Sequence, residues 1–334
     1  MKALIFRGDG VMQLEEVATP VPSTDELLVR VKSVGICGSD VEGYLGKTGR
    51  RLPPMIMGHE LAGEVVKTFP DSRFAVGDHV AIQPKLFCGE CSFCKTGEIN
   101  ICPNGGYLGV MSTNGGLAEY LAIPDRYLFK ISPDMPWEHA CMAEPLSVAY
   151  HGVQKVDLAK LKQSGPVLVI GAGPIGLLVL QVLKYHGIED VIVSDLVDGR
   201  LEKAKALGAS NVINPSRDQL PANIAYSFEA VGLGGSARQS LSALKCGGTA
   251  VWIGNAQKMI EVNMQQIVTQ ELSIVGSYVF NEVDFKNSLE MIDQGKIDLD
   301  AILTVEHGLE KGEEIFRSLG KGGNVDIIKM VLMI

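Results

Sequence analysis

Short apolar runs alternate with polar turn residues over the first part of the chain. The runs KALIF, ELLVRVKSVG, LAGEVVKTF, DHVAIQP and LAEYLAIP are separated by Gly, Pro and Asp. Short runs bounded by such residues are typical of β-strands. The pattern therefore predicts a β-rich first domain over residues 1–148.

Between residues 149 and 276 the pattern changes to apolar strands that alternate with helices. PVLVIG and DVIVSD predict buried strands, and PIGLLVLQVLKYHG and GRLEKAKALGA predict the helices that follow them. Such alternation is typical of a parallel, doubly wound sheet. We therefore expect an α/β fold, with a second domain over residues 149–276.

The tail, residues 277–334, is predicted to return to the first domain. EVDFKNSLEMIDQG predicts a helix, EKGEEIFRSLG indicates a second, and DIIKMVLMI predicts a terminal strand. We find no repeat, low-complexity tract or long linker in the sequence.

One apolar stretch, residues 167–183, has the hydrophobicity of a membrane span. Gly171, Gly173, Pro174 and Gly176 interrupt it, and a lipid-exposed irregular turn is not tolerated in a bilayer. We interpret it as a strand, a turn and a helix, and expect no membrane partner. The first ten residues, MKALIFRGDG, contain too few apolar residues in a row for the core of a signal peptide. This predicts a cytoplasmic protein.

Composition narrows the function classes further. The formal net charge is −9 and the pI about 5.3, which argues against a nucleic-acid partner. In a cytoplasmic protein disulfides are rare, so clustered cysteines more often bind metal.

A glycine motif follows the first apolar strand of the second domain. Gly171 permits a tight turn, Gly173 lets a pyrophosphate approach the backbone, and Gly176 allows close packing of the helix. Pro174 and Ile175 open that helix, whose N-terminal N–H groups face the phosphates. The motif predicts a dinucleotide cofactor.

The next strand ends at Asp195, nineteen residues after Gly176. Its carboxylate can bind both ribose hydroxyls and would repel a 2′-phosphate, which predicts NAD. Arg200 is expected to lie against the adenine, although an Arg at this point can also accommodate a 2′-phosphate.

Four of the seven cysteines fall within fifteen residues. A disulfide, a redox pair and a metal site all use close thiols, but a four-thiolate set with short gaps favours a closed structural zinc site. Its ligands are predicted to be Cys88, Cys91, Cys94 and Cys102. Cys141 and Cys246 are predicted to be ordinary buried residues.

A second set of metal-type residues is spread along the first domain. Taken singly, each is compatible with a buried thiol, a core histidine or a helix-start carboxylate. Together they supply the soft and hard ligands of an open catalytic zinc site. The set comprises Cys37, His59, Glu60 and Glu144.

The sequence resembles the zinc-containing medium-chain dehydrogenases, in the sorbitol and 2,3-butanediol dehydrogenase branch. The resemblance covers essentially the whole chain and is carried by ICGSD, GHE, VGDHVAI, GGLAEY, AEPLSVAYHG, VIGAGPIG and DFKNSLEMIDQGKID. It implies a GroES-like catalytic domain, completed by the tail, around a Rossmann domain. It also implies a homodimer or homotetramer.

The resemblance further implies roles for individual residues. The catalytic zinc would be held by Cys37, His59 and an acidic residue, either Glu60 or Glu144. Ser39 would relay the substrate proton, and Asp40 is a candidate partner for His59. Nicotinamide would lie between the domains, near Ala230, Val231, Gly232, Ile253, Gly254, Ser277 and Tyr278.

The predicted function is NAD-dependent oxidation of a secondary alcohol within a polyol or vicinal diol. Val279 departs from the family at a position where sorbitol dehydrogenases carry an Arg, which weakens a transfer of sorbitol specificity. Lys47, Arg50 and Arg51 allow an alternative, an anionic substrate such as a sugar acid, a sugar phosphate or threonine, if they are not a solvated surface cluster. A non-catalytic nucleotide-binding protein is a third alternative.

Overall fold

The computed structural model describes residues 1–322 and 327–334, which form two compact units. The first unit contains residues 1–144, 281–294 and 303–334, and the second contains 145–280 and 295–302. The second unit thus begins slightly before the predicted boundary and takes in a short piece of the tail. Gln181 holds residues 295–302 in the second unit. Its side chain accepts a hydrogen bond from the Asp298 N–H at 2.7 Å and donates one to the Asp298 carbonyl at 3.3 Å.

The elements are numbered in chain order. The strands are β1 (Lys2–Gly8), β2 (Val11–Glu16), β3 (Glu26–Ile36), β4 (Met55–Ile56), β5 (Glu60–Lys67), β6 (His79–Ile82), β7 (Lys85–Leu86), β8 (Gly106–Tyr107), β9 (Tyr120–Pro124), β10 (Leu128–Lys130), β11 (Val167–Ile170), β12 (Val191–Ser194), β13 (Asn211–Ile213), β14 (Ile224–Glu229), β15 (Leu244–Trp252), β16 (Ser273–Gly276), β17 (Leu303–His307) and β18 (Lys329–Met333). The helices are α1 (Gly38–Tyr44), α2 (Ser92–Lys95), α3 (Trp137–Ala140), α4 (Ala143–Val153), α5 (Leu158–Lys162), α6 (Pro174–Tyr185), α7 (Asp198–Ala206), α8 (Gly234–Ser242), α9 (Met264–Thr269), α10 (Glu282–Asp293) and α11 (Gly312–Gly320). Single 3₁₀ turns cover Ile99–Ile101, Asp125–Tyr127 and Leu309–Lys311.

The first unit is organised around β3, an eleven-residue strand that pairs with β5, β9 and β18. These strands belong to a seven-stranded sheet, in which β10, β6, β5, β3, β18 and β17 follow one another and β9 joins at β3. The last two strands come from the tail, so the end of the chain completes this sheet. Residues from β1, β3, β5 and β6 supply much of the apolar core.

The second unit is built on a six-stranded sheet in which every pairing is parallel. The strand order β13-β12-β11-β14-β15-β16 is that of a doubly wound dinucleotide-binding fold, with the reversal between β11 and β14. The predicted parallel sheet is confirmed. The apolar stretch 167–183 divides into β11 and α6, and within 1–322 and 327–334 no helix is long and apolar enough to cross a membrane.

The burial of one cysteine and two strands of the tail differ from expectation. Cys141 is buried as predicted, but the prediction for Cys246 is wrong, because it lies exposed in the irregular start of β15, beside Gly247 with φ +73°. The strand β17 was not predicted. The predicted terminal strand begins at Asp326, which lies outside the described residues, and β18 itself starts at Lys329.

Candidate metal centres and dinucleotide site

The four clustered cysteines form a tetrahedral arrangement of sulfur atoms. Neighbouring Sγ atoms lie 3.5–3.9 Å apart, and all seven cysteines of the chain are free thiols. A disulfide needs about 2.05 Å, so these contacts are not disulfides. With Zn–S bonds of about 2.3 Å, the edge of a tetrahedron is about 3.8 Å. The spacing therefore fits zinc.

The backbone of this loop, residues 88–102, donates hydrogen bonds to two of the sulfur atoms. The N–H of Cys91 donates to Cys88 Sγ, and the N–H of Cys88 donates to Cys102 Sγ, both at 3.4 Å. Backbone N–H groups lower the pKa of Cys88 to about 6, whereas burial and the neighbouring thiols raise the pKa of Cys94 to about 12. Four thiolates this close need a cation between them, and zinc supplies it.

A second group of potential ligands joins Cys37, His59 and Glu60. Their ligand atoms all lie within 4.8 Å of one another. Cys37 is the N-cap of α1, directly after β3, and Glu60 opens β5. Because β3 and β5 pair antiparallel, with Gly35 opposite Glu60, the end of one strand and the start of the other meet. Sheet register therefore brings the group together.

Two glycines make room for this group. A Cβ on Gly35 would lie 2.1 Å from Glu60 Oε2, so only glycine leaves space for that carboxylate. Gly58 has φ +93°, and a Cβ there would lie 2.9 Å from Val34 Cγ1. The turn that presents His59 thus depends on glycine.

His59 is oriented by Asp40. Asp40 Oδ1 lies 3.5 Å from His59 Nδ1, so Nε2 is the ring nitrogen available to a metal. Burial opposes ionisation of Asp40, but His59 and Arg51 hold its pKa well below the ordinary value. Burial likewise opposes a charged His59, but Asp40 and then Cys37 raise its pKa. A metal ion would supply the positive charge that these groups otherwise take from a proton.

Glu60 and Glu144 occupy different environments. Lys329 Nζ pairs with both oxygens of Glu60, at 2.5 Å from Oε1, and donates to the Ile36 carbonyl at 3.1 Å. Glu144 lies outside the 4.8 Å group, and its Oε1 accepts from the Tyr107 hydroxyl at 2.5 Å. Burial raises the pKa of Glu144 to about 7, with His59 opposing and Glu60 adding to the shift.

The three cations between Cys37 and His59 do not act as one cluster. Lys47 and Arg50 are exposed, whereas the Arg51 side chain is only 2% exposed. Arg51 Nη2 donates to Asp40 Oδ1 at 2.8 Å and to Ser39 Oγ at 3.2 Å. The solvated-cluster interpretation therefore holds for two of the residues and fails for Arg51.

The glycine turn of the second unit has the geometry of a phosphate site. Gly171 has φ +100°, and a Cβ on Gly176 would lie 1.8 Å from the Gly171 carbonyl oxygen. A Cβ on Gly173 would meet nothing within 4 Å, so this N-cap of α6 is open to a ligand. Pro174 and Ile175 form the first turn of that helix, which leaves its N–H groups facing the same opening.

A cavity of about 1100 Å³ adjoins this turn and fits a dinucleotide. Asp195 and Arg200 line it; Asp195 accepts from the N–H groups of Ala172 and Val197, at 2.7 and 2.9 Å. These bonds fix the carboxylate and leave further lone pairs on each oxygen for ribose hydroxyls. Within the described residues, the buried Nε of Arg200 has no hydrogen-bond partner.

The other predicted cofactor residues lie at the carboxyl ends of three adjacent strands. Ala230, Val231 and Gly232 follow β14, Ile253 and Gly254 follow β15, and Ser277 and Tyr278 follow β16. Only Ala230 and Val231 of these line the large cavity. Gly232 and Gly254 pack backbone against backbone, since a Cβ on Gly254 would lie 2.1 Å from the Gly232 nitrogen.

Comparison with known proteins identifies the family. The family model for the alcohol dehydrogenase GroES-like domain matches residues 23–133, and that for zinc-binding dehydrogenase matches 174–294. A sorbitol dehydrogenase of Bacillus subtilis is 30% identical over 94% of this chain and 92% of its own length. An L-idonate 5-dehydrogenase of Vitis vinifera is 30% identical over 95% and 91%. The chain belongs to the zinc-containing medium-chain dehydrogenase family.

Solved structures extend the similarity over the whole dehydrogenase. A zinc-binding dehydrogenase of Sinorhizobium meliloti bound to NADP is 27% identical, with a TM-score of 0.91 over 100% of this chain and 99% of that one. An Escherichia coli alcohol dehydrogenase with NADH is 29% identical, with a TM-score of 0.89 over 100% and 99%. The 2R,3R-butanediol dehydrogenase of Bacillus subtilis is 27% identical, with a TM-score of 0.88 over 100% and 99%.

These matches confirm several predictions about the dehydrogenase. It is an oxidoreductase with a GroES-like domain and a Rossmann domain, and its cofactors are zinc and a nicotinamide dinucleotide. The non-catalytic alternative is therefore set aside.

Sequence reasoning missed two residues around the Cys37 group, Lys329 and Tyr107, and did not foresee the contacts of Arg51 with Asp40 and Ser39. Lys329 is a single charge within the apolar run IIKMVL, a signal that could have marked a buried ion pair. Tyr107, in the two-residue strand β8, and the inward direction of the Arg51 side chain carry no comparable signal, because a single tyrosine and a pair of basic residues are both common in sequences.

Proposed function

We propose that this dehydrogenase oxidises a secondary alcohol within a polyol or vicinal diol, with NAD as the hydride acceptor. The observation that carries the proposal is the three-ligand group of Cys37, His59 and Glu60. A catalytic zinc with three protein ligands keeps its fourth position for substrate. Ser39 follows Cys37 in the first turn of α1. The sorbitol and butanediol dehydrogenases among its relatives support the substrate class.

Each residue of the group has a proposed task. Bound zinc would act as a Lewis acid toward the substrate oxygen. Cys37, His59 and Glu60 would hold the ion, and Asp40 fixes the tautomer of His59. Ser39 takes the hydroxyl proton of the substrate and passes its own to water, which its donor and acceptor capacity allows.

We propose that Glu60 is the acidic ligand of the catalytic zinc and that Glu144 acts from further out. Support comes from the 4.8 Å group, which includes Glu60 but not Glu144. The hydrogen bond from Tyr107 holds Glu144 in its own place. The four-cysteine loop would hold a second, structural zinc. The free thiols throughout the chain also support a reducing, cytoplasmic location.

We further propose a preference for NAD over NADP. Asp195 is fixed by two backbone N–H groups and lines the cavity, so a 2′-phosphate would meet its negative charge. Arg200 would lie against the adenine instead of binding a phosphate.

A homodimer or homotetramer is the proposed assembly. In the second unit, β16 ends the sheet and exposes Ile274, while the neighbouring α9 exposes Met264 and Val268. Among the strands that the structure describes, none pairs with the outer side of β16, and such an edge beside apolar side chains is suited to pairing with a second copy.

The test is a screen of NADH formation with polyols, diols, aldonates, sugar phosphates and threonine, run with NAD and with NADP. We expect the highest kcat/KM on a neutral polyol or diol with NAD. A preference for aldonates would favour an anionic substrate. The similarity to an L-idonate 5-dehydrogenase supports testing this alternative. Absence of turnover by a protein with two zinc ions per chain would refute the proposal.

A further inference from the structure

Arg51 links the two side chains that flank the proposed catalytic metal group. Its Nη2 donates to Asp40 Oδ1 at 2.8 Å and to Ser39 Oγ at 3.2 Å. We propose that Arg51 is a positioning residue for proton transfer, which holds the Ser39 hydroxyl and the Asp40 carboxylate in one arrangement. This inference rests on the proposed function, because it concerns the same Ser39 relay.

The backbone and a neighbouring glycine fix the place of Arg51. An isolated bridge pairs Arg51 with Met111, whose N–H donates to the Arg50 carbonyl at 2.8 Å. A Cβ on Gly43 of α1 would lie 2.3 Å from Arg51 Cγ. The helix therefore leaves a gap through which the Arg51 side chain passes inward.

Stability alone does not explain a buried arginine here. The Arg51 side chain is 2% exposed and that of Asp40 is 1% exposed. Within the described residues, Arg51 Nε is buried without a hydrogen-bond partner. Desolvating an ion pair and leaving one N–H unsatisfied both cost free energy, and apolar replacements of such pairs are often neutral or stabilising. We infer that the pair serves the geometry of the site.

The contact with Ser39 sets the direction of its hydroxyl. A guanidinium only donates, so it occupies one acceptor position of Ser39 Oγ and turns the Ser39 hydrogen away. One lone pair remains to receive the substrate's hydroxyl proton, while the original Ser39 proton goes to water. The hydride from the substrate C–H goes to NAD, and Arg51 itself loses no proton. The positive charge of Arg51 stabilises negative charge on Ser39 Oγ while the two protons are exchanged.

The contact with Asp40 links the relay to the metal group. Asp40 Oδ2 accepts from the Cys37 N–H at 3.3 Å, and Oδ1 faces both Arg51 and His59 Nδ1. One carboxylate thus touches two of the proposed zinc ligands. A shift of Arg51 would move the relay and the His59 orientation together.

The first test is Arg51→Lys, with Arg50→Lys as the matched control on the exposed neighbour. Lysine keeps the positive charge but lacks the planar guanidinium. We therefore expect the variant to keep the ion pair with Asp40 and to lose the hydrogen bond to Ser39. On the best substrate of the screen, kcat should fall about ten- to a hundredfold, the effect of one lost charge-assisted hydrogen bond. Zinc content, NADH affinity and KM should stay close to wild type, and Arg50→Lys should change nothing.

Two further measurements separate positioning from folding. Gly43→Ala displaces Arg51 without removing it, and we expect the same fall in kcat. In the cobalt-substituted protein, Gly43→Ala, which moves Arg51 away from Asp40, should shift the visible absorption bands of the Cys37–His59 site, whereas Arg51→Lys, which keeps the Asp40 contact, should leave them in place. Full kcat in either folded variant, or an unshifted spectrum in Gly43→Ala, would overturn the proposal.

A double-mutant cycle tests the route through Ser39. Adding Arg51→Lys to Ser39→Ala should lower kcat by less than twofold, because the relay is already absent. A full additional loss would overturn the proposal. Failure of the proposed function would instead appear as no polyol turnover by the wild type, a result independent of these ratios.

Discussion

Gly35→Ala should inactivate the dehydrogenase while leaving its fold nearly intact. The new Cβ would lie 2.1 Å from Glu60 Oε2 and 3.2 Å from both Cβ and Cδ of Glu60. Non-bonded atoms rest at about 3.5 Å, so the carboxylate must retreat by about 1 Å or more. The carboxylate of Glu60 is the end of a flexible side chain, so it can rotate away at a small cost in backbone strain.

The effect on catalysis should be far larger than the effect on stability. A displacement of about 1 Å at a reacting centre costs on the order of a hundredfold in rate. We expect kcat/KM to fall by about that factor. The free energy of unfolding should change by roughly 1–3 kcal/mol, as for other overpacking substitutions. The assays are steady-state kinetics, zinc content and thermal unfolding.

Gly38→Ala provides the matched control, because it makes the same chemical change beside Cys37. A Cβ on Gly38 would meet nothing within 4 Å, and alanine favours the helix that Gly38 begins. This variant should keep wild-type activity. If Gly35→Ala retained kcat/KM within threefold of wild type with two zinc ions bound, the position of Glu60 would not matter and the reasoning would fail.

The remaining predictions concern the metals and the cofactor. Cys91→Ser should lose one zinc per chain and lower the melting temperature, because a closed zinc site contributes folding energy; Cys37→Ser should also lose one zinc but melt near wild type, with turnover close to zero. Zinc analysis and calorimetry on the two variants, side by side, check this, and equal destabilisation would contradict it. Asp195→Ala should raise kcat/KM for NADP relative to NAD, with Arg200 then free to approach the phosphate. A wild type that already prefers NADP would refute the claim.

Local motifs were predictable because their chemistry depends on near neighbours in the chain. The glycine turn at Gly171 and the four-cysteine loop each fold within a few residues, so spacing alone indicates a phosphate site and a zinc site. The alternation of strand and helix was equally informative about the parallel sheet.

Long-range pairing could not be predicted in the same way. Glu60 meets Lys329 because β3 lies between β5 and β18, a register that no local pattern specifies. Arg50 and Arg51 are adjacent basic residues with identical local signals, yet one is exposed and the other buried. The gap at Gly43 decides between them, and only the fold reveals it.

The pairing of Lys329 with Glu60 has a consequence for biosynthesis. The two residues are 269 positions apart, and β18 is the last strand of the first unit to leave the ribosome. All strands of the second unit precede residue 277, so that unit can fold while the central sheet of the first still lacks β17 and β18. Until Lys329 is made, Glu60 lacks this ion-pair partner, although Cys37, His59 and Glu60 are all already present. Formation of the Lys329–Glu60 ion pair should therefore come late in folding, after β18 has been synthesised.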